Sequence, residues 1–286
     1  MIITVPKLCG FCYGVSRAIE FAENALSKEG KLIMFGEIVH NPGVIDGLIS
    51  KGAVIADDVD MLDTCPDAGV LIRAHGLGRD TLEMIKNKGR EIIDGTCPKV
   101  KKVHEIVMRE EKLGRNIIII GNKEHPEVKG ILGWCSKPVL VIPDYKTAIE
   151  TDIEEKISVV VQTTFNIGEF ERISGVLREK CRGVEIFNTI CPATDIRQKM
   201  VRELSRESDF AIVVGGKKSS NSKKLFDISS ENCTAIQIEN KDELDMELLR
   251  GTERVLICAG SSTPFSEVET IVRLLKDKYN ATVLYV

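Results

Sequence analysis

The sequence predicts an α/β protein with mainly parallel sheets. Short apolar runs rich in β-branched residues alternate with amphipathic stretches along the whole chain, a pattern typical of β–α–β units. The runs are continuously apolar and do not alternate apolar with polar residues, which indicates strands covered by helices on both faces. Several of the amphipathic stretches end at a glycine, as helix C-termini commonly do.

Twelve segments are predicted as strands, and they fit a single sheet poorly. In chain order they are "MIITV", "KLIMFG", "GVLIRA", "EIIDG", "NIIIIG", "PVLVI", "ISVVVQ", "VEIFN", "FAIVVG", "TAIQI", "RVLICAG" and "TVLYV". The stretches predicted as helices are "VSRAIEFAENAL", "TLEMIKNKG", "KVKKVHEIVMREEKLG", "EFERISGVLREK", "DIRQKMVRELSRE" and "SEVETIVRLLKDKY". Because the strands are too many for one sheet, we expect several smaller α/β units.

The bulk composition is that of an ordinary globular protein. Of the 286 residues, 43% are hydrophobic and 29% charged, and the formal net charge is −4, which gives no support for nucleic-acid binding. No apolar run approaches the roughly 20 residues that span a bilayer, and "MIITVPKL" is too short for a signal peptide. We therefore expect a cytoplasmic protein without a membrane segment, and a monomer.

Three of the nine cysteines stand where a predicted strand passes into a helix. They are Cys12 in "LCGFCYGVSRAIE", Cys97 in "DGTCPKVKKVHEI" and Cys191 in "NTICPATDIRQKM". They divide the chain into near-thirds, which predicts three α/β subdomains, residues 1–96, 97–190 and 191–286, around a common centre. Each subdomain would contribute one cysteine from the carboxyl end of a strand, where ligands of open α/β sheets bind.

Three converging thiolates can hold zinc or an iron–sulfur cluster. Structural zinc sites usually draw on closely spaced ligand pairs and close at four ligands. Ordinary [4Fe–4S] clusters use four cysteines, so three would leave one iron able to act as a Lewis acid. The alternative is that these are buried strand-end cysteines with no ligand role. The odd total argues against a disulfide framework, and five cysteines are predicted as loop, core or other structural residues: Cys65, Cys135, Cys181, Cys233 and Cys258.

Polar side chains also collect at the predicted strand ends. Three of the four histidines follow strands, beside turn residues: His40, His75 and His125. The fourth, His104, lies in an amphipathic stretch and is predicted as a solvated or packed helix residue. The last third has hydroxyl and amide side chains instead, namely Ser219, Ser220, Asn221 and Ser262. Together they suit a compact anion such as a diphosphate, although ordinary helix caps would explain each serine segment alone.

A carboxylate and a hydroxyl at two further strand ends offer a path for protons. Glu127 follows His125 in "EHPEV", and "VVVQTTF" contains Thr163 and Thr164. Such a pair can pass a proton to a substrate oxygen. The alternative for Glu127 is an acidic residue in the first turn of a helix, which is a common placement.

The motifs together resemble the 4-hydroxy-3-methylbut-2-enyl diphosphate reductase family of the non-mevalonate isoprenoid pathway. The matching segments are "GFCYGV", "FGEIVHNP", "RAHG", "DGTCPKV", "HPEVKG", "QTT", "NTICPAT", "SSNS" and "AGSSTP". The resemblance implies a trefoil of three pseudo-threefold-related α/β subdomains around a central [4Fe–4S] cluster. Its ligands would be Cys12, Cys97 and Cys191. Cys9 lies outside the family motif, and Ser261 stands where the family often has alanine.

The same resemblance implies roles for the remaining site residues. The substrate would be bound, largely through its diphosphate, by His40, His75, His125, Ser219, Ser220, Asn221 and Ser262. Thr163, or its neighbour Thr164, would contact the substrate hydroxyl, and Glu127 would supply protons. The implied reaction is reductive dehydroxylation to isopentenyl and dimethylallyl diphosphate, with flavodoxin or ferredoxin as electron donor. Competing hypotheses are a non-redox [4Fe–4S] dehydratase resembling quinolinate synthase, a non-catalytic iron–sulfur sensor and a zinc protein.

Overall fold

The computed structural model of the chain describes residues 1–153 and 156–286. The chain folds as two compact units. The first unit comprises Met1–Tyr13, His40–Pro42 and Pro192–Val286, and the second comprises Gly14–Val39 and Gly43–Cys191.

Strands and helices alternate through the described residues. The strands are β1 (Ile2–Val5), β2 (Leu32–Phe35), β3 (Ala53–Ala56), β4 (Gly69–Ile72), β5 (Ile92–Asp94), β6 (Asn116–Ile120), β7 (Leu140–Ile142), β8 (Ile157–Val161), β9 (Glu185–Ile186), β10 (Phe210–Val214), β11 (Thr234–Ile238), β12 (Arg254–Ala259) and β13 (Thr282–Tyr285). The helices are α1 (Tyr13–Glu29), α2 (Pro42–Ile49), α3 (Arg79–Asn87), α4 (Pro98–Lys112), α5 (Pro126–Leu132), α6 (Tyr145–Glu150), α7 (Ile167–Lys180), α8 (Pro192–Arg206), α9 (Ser220–Ser230) and α10 (Phe265–Tyr279).

The strands form three parallel sheets. The first unit contains a five-stranded sheet in the order β11-β10-β12-β1-β13, with Ile3 of β1 opposite Val255 of β12. The second unit contains two four-stranded sheets, in the orders β3-β2-β4-β5 and β7-β6-β8-β9. The predicted α/β class with parallel sheets is therefore confirmed.

Four of the central strands are buried along their whole length, as their continuous apolar runs predict. Every residue of β2, β4, β8 and β10 is buried, whereas the edge strand β13 is largely exposed. Helices cover the sheets with one apolar face each. On α10 this face consists of Val268, Ile271, Val272 and Leu275, which pack into the core of the first unit. This double coverage explains why the strands lack a polar alternation.

The structure adds elements that the sequence patterns do not predict. These elements are strand β3 and the helices α2, α5, α6 and α9. Strand β3 and the helices α2, α5 and α6 are short, and the segment that forms α9 is rich in serine. Strand β1 pairs with β12 and β13, so the beginning of the chain joins the sheet formed by its last third. The domain boundaries expected from the cysteine junctions stay a prediction. Among the described residues, no helix has the length and apolar character needed to cross a membrane.

His104 is a packed residue and not a solvated one. It is 5% exposed, its ring stacks on Trp134 with centroids 5.2 Å apart, and a Cβ on Gly76 would lie 2.9 Å from its Cε1. Burial lowers the pKa of His104 to about 4, although the nearby charge of Asp94 opposes the shift. The folded protein thus holds a neutral imidazole between α4 and the turn that follows His75.

This burial predicts a loss of stability in mild acid. Above pH 6.5 the imidazole of His104 is neutral in the folded and unfolded chains alike. Between pH 6.5 and 4 the unfolded chain binds a proton that the folded protein excludes, so at pH 5 the free energy of unfolding should be lower by about 2 kcal/mol. Urea unfolding can be followed through the chain's single tryptophan, Trp134, against which His104 stacks. His104→Phe should lack this part of the pH dependence; an identical decline in both proteins would contradict the assignment.

Candidate functional site

Glu127 and Thr163 form a buried hydrogen-bonded pair in the second unit. Glu127 lies in the first turn of α5 and is 1% exposed, and Thr163 follows β8 and is 6% exposed. The backbone N–H of Thr163 donates to Glu127 Oε1 at 2.6 Å, and its hydroxyl donates to Oε2 at 2.7 Å. Burial raises the pKa of Glu127 and outweighs these two bonds, which lower it. A carboxyl with a raised pKa retains its proton at higher pH, as a general acid must.

The imidazole of His125 is held in one tautomer at the start of α5. His125 caps this helix, and its Nδ1 accepts the N–H of Glu127 at 3.2 Å. Because Nδ1 is the acceptor, the proton of the neutral ring is on Nε2. The ring of His75 meets that of His125 edge-on, with centroids 5.3 Å apart. The structure thus brings two of the three predicted histidines together, with an N–H donor on one.

Cys97 stands at the N-cap of α4, directly before Pro98. Its backbone N–H donates to the carbonyl of Ala74, next to His75, at 3.0 Å. The thiol lies against Gly14, two residues after Cys12 in the chain, where a Cβ would approach Cys97 Sγ to 2.8 Å. Arg17 on α1 donates to the carbonyls of Asp94 and Thr96, at 3.2 and 3.1 Å. The loop that carries Cys97 is thereby tied to the helix that follows Cys12.

Cys191 is tied to the loop that carries the threonines. Its N–H donates to the carbonyl of Thr163 at 2.9 Å. The neighbouring Thr164 accepts from the side-chain amide of Gln162, whose Oε1 in turn accepts the N–H of Asn122. Since Thr164 faces Gln162, Thr163 is the threonine whose hydroxyl bonds to Glu127. Which of the two threonines contacts the substrate stays a prediction.

Hydroxyl groups meet at strand ends in the first unit. Ser219 caps α9, and Ser262 follows β12; the Ser262 hydroxyl donates to Ser219 Oγ at 3.2 Å. Both are nearly fully buried, at 4% and 6% exposure. Asn221, in the first turn of α9, is 3% exposed, and neither polar atom of its amide has a partner among the described residues. An unsatisfied buried amide is costly for a folded protein, so Asn221 is a candidate contact for a polar ligand.

The environments of Cys9 and Cys12 differ. Cys12 is half-buried, and its N–H donates to the carbonyl of Ser261 at 3.2 Å. Cys9 packs against the apolar core of the first unit, and burial raises the pKa of its thiol to about 11. Cys9 is therefore a neutral thiol at physiological pH, whereas metal ligation requires the thiolate. All nine cysteines are thiols and not disulfides.

Two residues that contact the loops of the candidate site are not among the residues predicted from the sequence motifs. Gly14 leaves room for the Cys97 thiol, and Arg197 is buried on α8 at 4% exposure. A signal for Arg197 is present in the sequence, because Thr194, Arg197 and Val201 fall on the buried face of an amphipathic helix. A charged residue on such a face is rarely buried unless it is hydrogen-bonded.

Comparisons with known proteins agree on one family. The family model for LytB protein matches residues 3–276. The 4-hydroxy-3-methylbut-2-enyl diphosphate reductase of Caldanaerobacter subterraneus subsp. tengcongensis is 39% identical over 279 residues, 96% of this chain and 97% of that protein. That of Helicobacter pylori strain Shi470 is 38% identical over 272 residues, 95% and 97% of the two chains. The structure of the E-1-hydroxy-2-methyl-but-2-enyl-4-diphosphate reductase from Plasmodium falciparum superposes with a TM-score of 0.94 at 32% identity, covering 99% of this chain and 91% of that one.

Proposed function

We propose a function that follows from the family of this chain, which belongs to the LytB protein family of 4-hydroxy-3-methylbut-2-enyl diphosphate reductases. Its substrate is (E)-4-hydroxy-3-methylbut-2-enyl diphosphate, which it reduces. The chain is an oxidoreductase of that family. The reaction takes up two electrons and two protons, breaks the allylic C–O bond and forms a C–H bond. The products are water and either isopentenyl or dimethylallyl diphosphate. Flavodoxin or ferredoxin would supply the electrons to a cytoplasmic monomer.

The single observation that carries the proposal is the buried pair of Glu127 and Thr163. Hydroxide is a poor leaving group, so the C–O bond breaks readily only if a proton reaches the departing oxygen. Glu127 can retain a proton because burial raises its pKa. The Thr163 hydroxyl, 2.7 Å from Glu127 Oε2, can relay that proton to a substrate oxygen and hold the oxygen in place.

The cysteines suit a cluster with three protein ligands. Cys12, Cys97 and Cys191 are each half-buried immediately before a helix, and Gly14 leaves space at the Cys97 thiol that a larger residue would fill. A [4Fe–4S] cluster on the thiolates of these cysteines would supply electrons and one Lewis-acidic iron. Four other thiols do not suit this role, because burial raises the pKa of Cys9, Cys135, Cys233 and Cys258.

The diphosphate would be held by imidazole, hydroxyl and amide groups. In the first unit, Ser219, Ser220, Asn221 and Ser262 lie at or beside the start of α9 and the end of β12, and His40 belongs to the same unit. In the second unit, His125 presents an N–H at Nε2, and His75 lies against it. Helix N-termini and hydroxyls suit phosphate oxygens. Binding energy from this remote group can orient the allylic hydroxyl for reduction.

Replacing Asn221 by alanine should weaken substrate binding without lowering stability. The amide is buried and has no partner among the described residues, so its removal relieves an unsatisfied polar group. We expect an unchanged or higher melting temperature and a KM that rises about tenfold or more, the usual cost of one lost phosphate contact. Ser230→Ala, at the exposed end of the same helix, is the matched control. A lower melting temperature with an unchanged KM would mean that Asn221 is structural.

The decisive experiment is anaerobic purification, followed by iron and sulfide analysis and an assay with an artificial electron donor. We expect a brown protein that converts the hydroxylated allylic diphosphate to the two products only when reductant is present. Turnover without reductant would favour a dehydratase. A protein that binds iron but lacks turnover would favour a sensor, and a colourless zinc protein would refute the proposal outright.

A further inference from the structure

Arg197 joins two loops of the first unit that carry predicted site residues. It lies on α8, the helix that follows Cys191 in the chain, and is 4% exposed. One guanidinium nitrogen donates to the carbonyl of Gly10 at 2.6 Å, and the other donates to the carbonyl of Ala259 at 3.3 Å. Gly10 precedes Cys12 by two residues, and Ala259 precedes Ser262 by three. One buried cation thus holds the backbones of both loops.

In addition to the bonds of Arg197, a second contact joins the same two loops. The N–H of Cys12 donates to the carbonyl of Ser261 at 3.2 Å, and the Ser262 hydroxyl continues to Ser219 at 3.2 Å. Gly10 lies against Phe265 in a left-handed conformation, with φ +100°. The thiol of Cys9 packs against the apolar core beside these loops and feels the charge of Arg197. The position of Cys12 and that of the Ser262 hydroxyl therefore depend on the same small set of backbone contacts.

A buried arginine in this place is informative because burial of its charge is costly. Arginine is almost never fully buried unless its donors are engaged, and its planar fork can bind two acceptors in a fixed relative geometry. A backbone carbonyl is a neutral acceptor, so neither of these two bonds pairs the guanidinium with a carboxylate. An apolar side chain of similar size would fill the space, as methionine does elsewhere, but it could not fix the two carbonyls.

We propose that Arg197 is a positioning residue, which sets the Cys12 thiolate and the diphosphate-binding Ser262 in one arrangement by bridging Gly10 and Ala259. The inference rests on the proposed function for the roles of Cys12 and Ser262. It assigns to Arg197 no contact with substrate or iron. Loss of the bridge releases both loops, so that cluster retention and substrate affinity decline together.

The test compares Arg197→Met and Arg197→Lys with Arg115→Met. Arg115 is a matched control, since it also bridges elements, but in the second unit: it donates to Ser158 Oγ at 2.8 Å in a partly buried bond and to the Gly183 carbonyl at 3.0 Å in an exposed one. In Arg197→Met we expect hydrogen exchange to accelerate selectively in segments 10–12 and 259–262. We also expect KM to rise, and iron release to a chelator to accelerate, by about tenfold or more, the effect of losing one charged hydrogen bond. Lysine should be intermediate, because an ammonium can still reach one carbonyl.

The outcomes of this test distinguish failure of the positioning role from failure of the proposed function. Exchange that accelerates evenly over the first unit, or the same selective acceleration in Arg115→Met, would overturn it. If Arg197→Met does not fold, Arg197→Lys decides: wild-type exchange in both segments, with wild-type KM and iron release, refutes the positioning role. If the wild-type protein shows no turnover, the proposed function is refuted. The hydrogen-exchange measurement would still test whether Arg197 positions the two loops.

Discussion

Turnover of the Glu127→Gln variant is expected to fall by a factor of about 10² to 10⁴, with the iron–sulfur absorption retained. Glutamine has nearly the same shape as glutamate, but its amide releases no proton near neutral pH. The carboxyl is 1% exposed and receives the N–H and the hydroxyl of Thr163, so no bulk water can readily replace it as a proton source. The measurement is kcat with an artificial electron donor, alongside iron content and melting temperature.

The control for this variant is Glu124→Gln, three residues earlier in the chain and just before α5. Glu124 is exposed and pairs with Lys129 at 2.8 Å, so the change should alter kcat by less than about twofold. Because burial raises the pKa of Glu127, the wild-type rate should decline only as pH rises through that raised pKa, and the residual activity of Glu127→Gln should lack this decline. A Glu127→Gln protein with at least half of the wild-type kcat would show that protons arrive by another route.

The fold class was predictable because buried parallel strands leave a strong pattern. Strands such as β8 and β10, buried at all positions, need apolar residues throughout, and this need is visible in any single sequence. Strand β3 and helix α9 were not predicted, because short or serine-rich segments owe their structure to tertiary packing more than to local preference. The pairing of β1 with β12 and β13 was also not predicted, because a local sequence pattern does not indicate which distant strand a given strand pairs with.

The candidate site was predictable where a residue type signals its chemistry. Cysteines, histidines and serines at strand ends stand out, and the structure places Thr163 on Glu127 and Ser262 on Ser219. Residues that act through the backbone were missed. The bonds of Arg197 go to carbonyls, which every residue possesses, so its two partners leave no trace in the sequence. Gly14 matters only through the side chain it lacks.

Loss of the proposed [4Fe–4S] cluster is the expected result of Cys12→Ser, with iron falling from about four atoms per chain to a small or labile fraction. A serine hydroxyl is far less acidic than a thiol and is a poor ligand for iron. Cys12 is half-buried, stands directly before α1, and is held through its N–H by the Ser261 carbonyl. Nothing in these contacts involves the sulfur atom, so the serine variant should fold normally. Anaerobic iron and sulfide analysis, with the visible absorption spectrum, measures the result.

Cys9→Ser is the matched control, because the two cysteines are three residues apart in one loop. Cys9 packs against the core of the first unit, and its raised pKa of about 11 keeps it a neutral thiol. Its replacement should cost about 1 kcal/mol of stability for a polar group placed in apolar surroundings, but iron content should match the wild type. Equal iron loss in both variants would mean that the loop ligates through either sulfur, or that disturbing Cys9 displaces the backbone that Arg197 holds. Hydrogen exchange in segment 10–12 separates these cases, since only the second accelerates it.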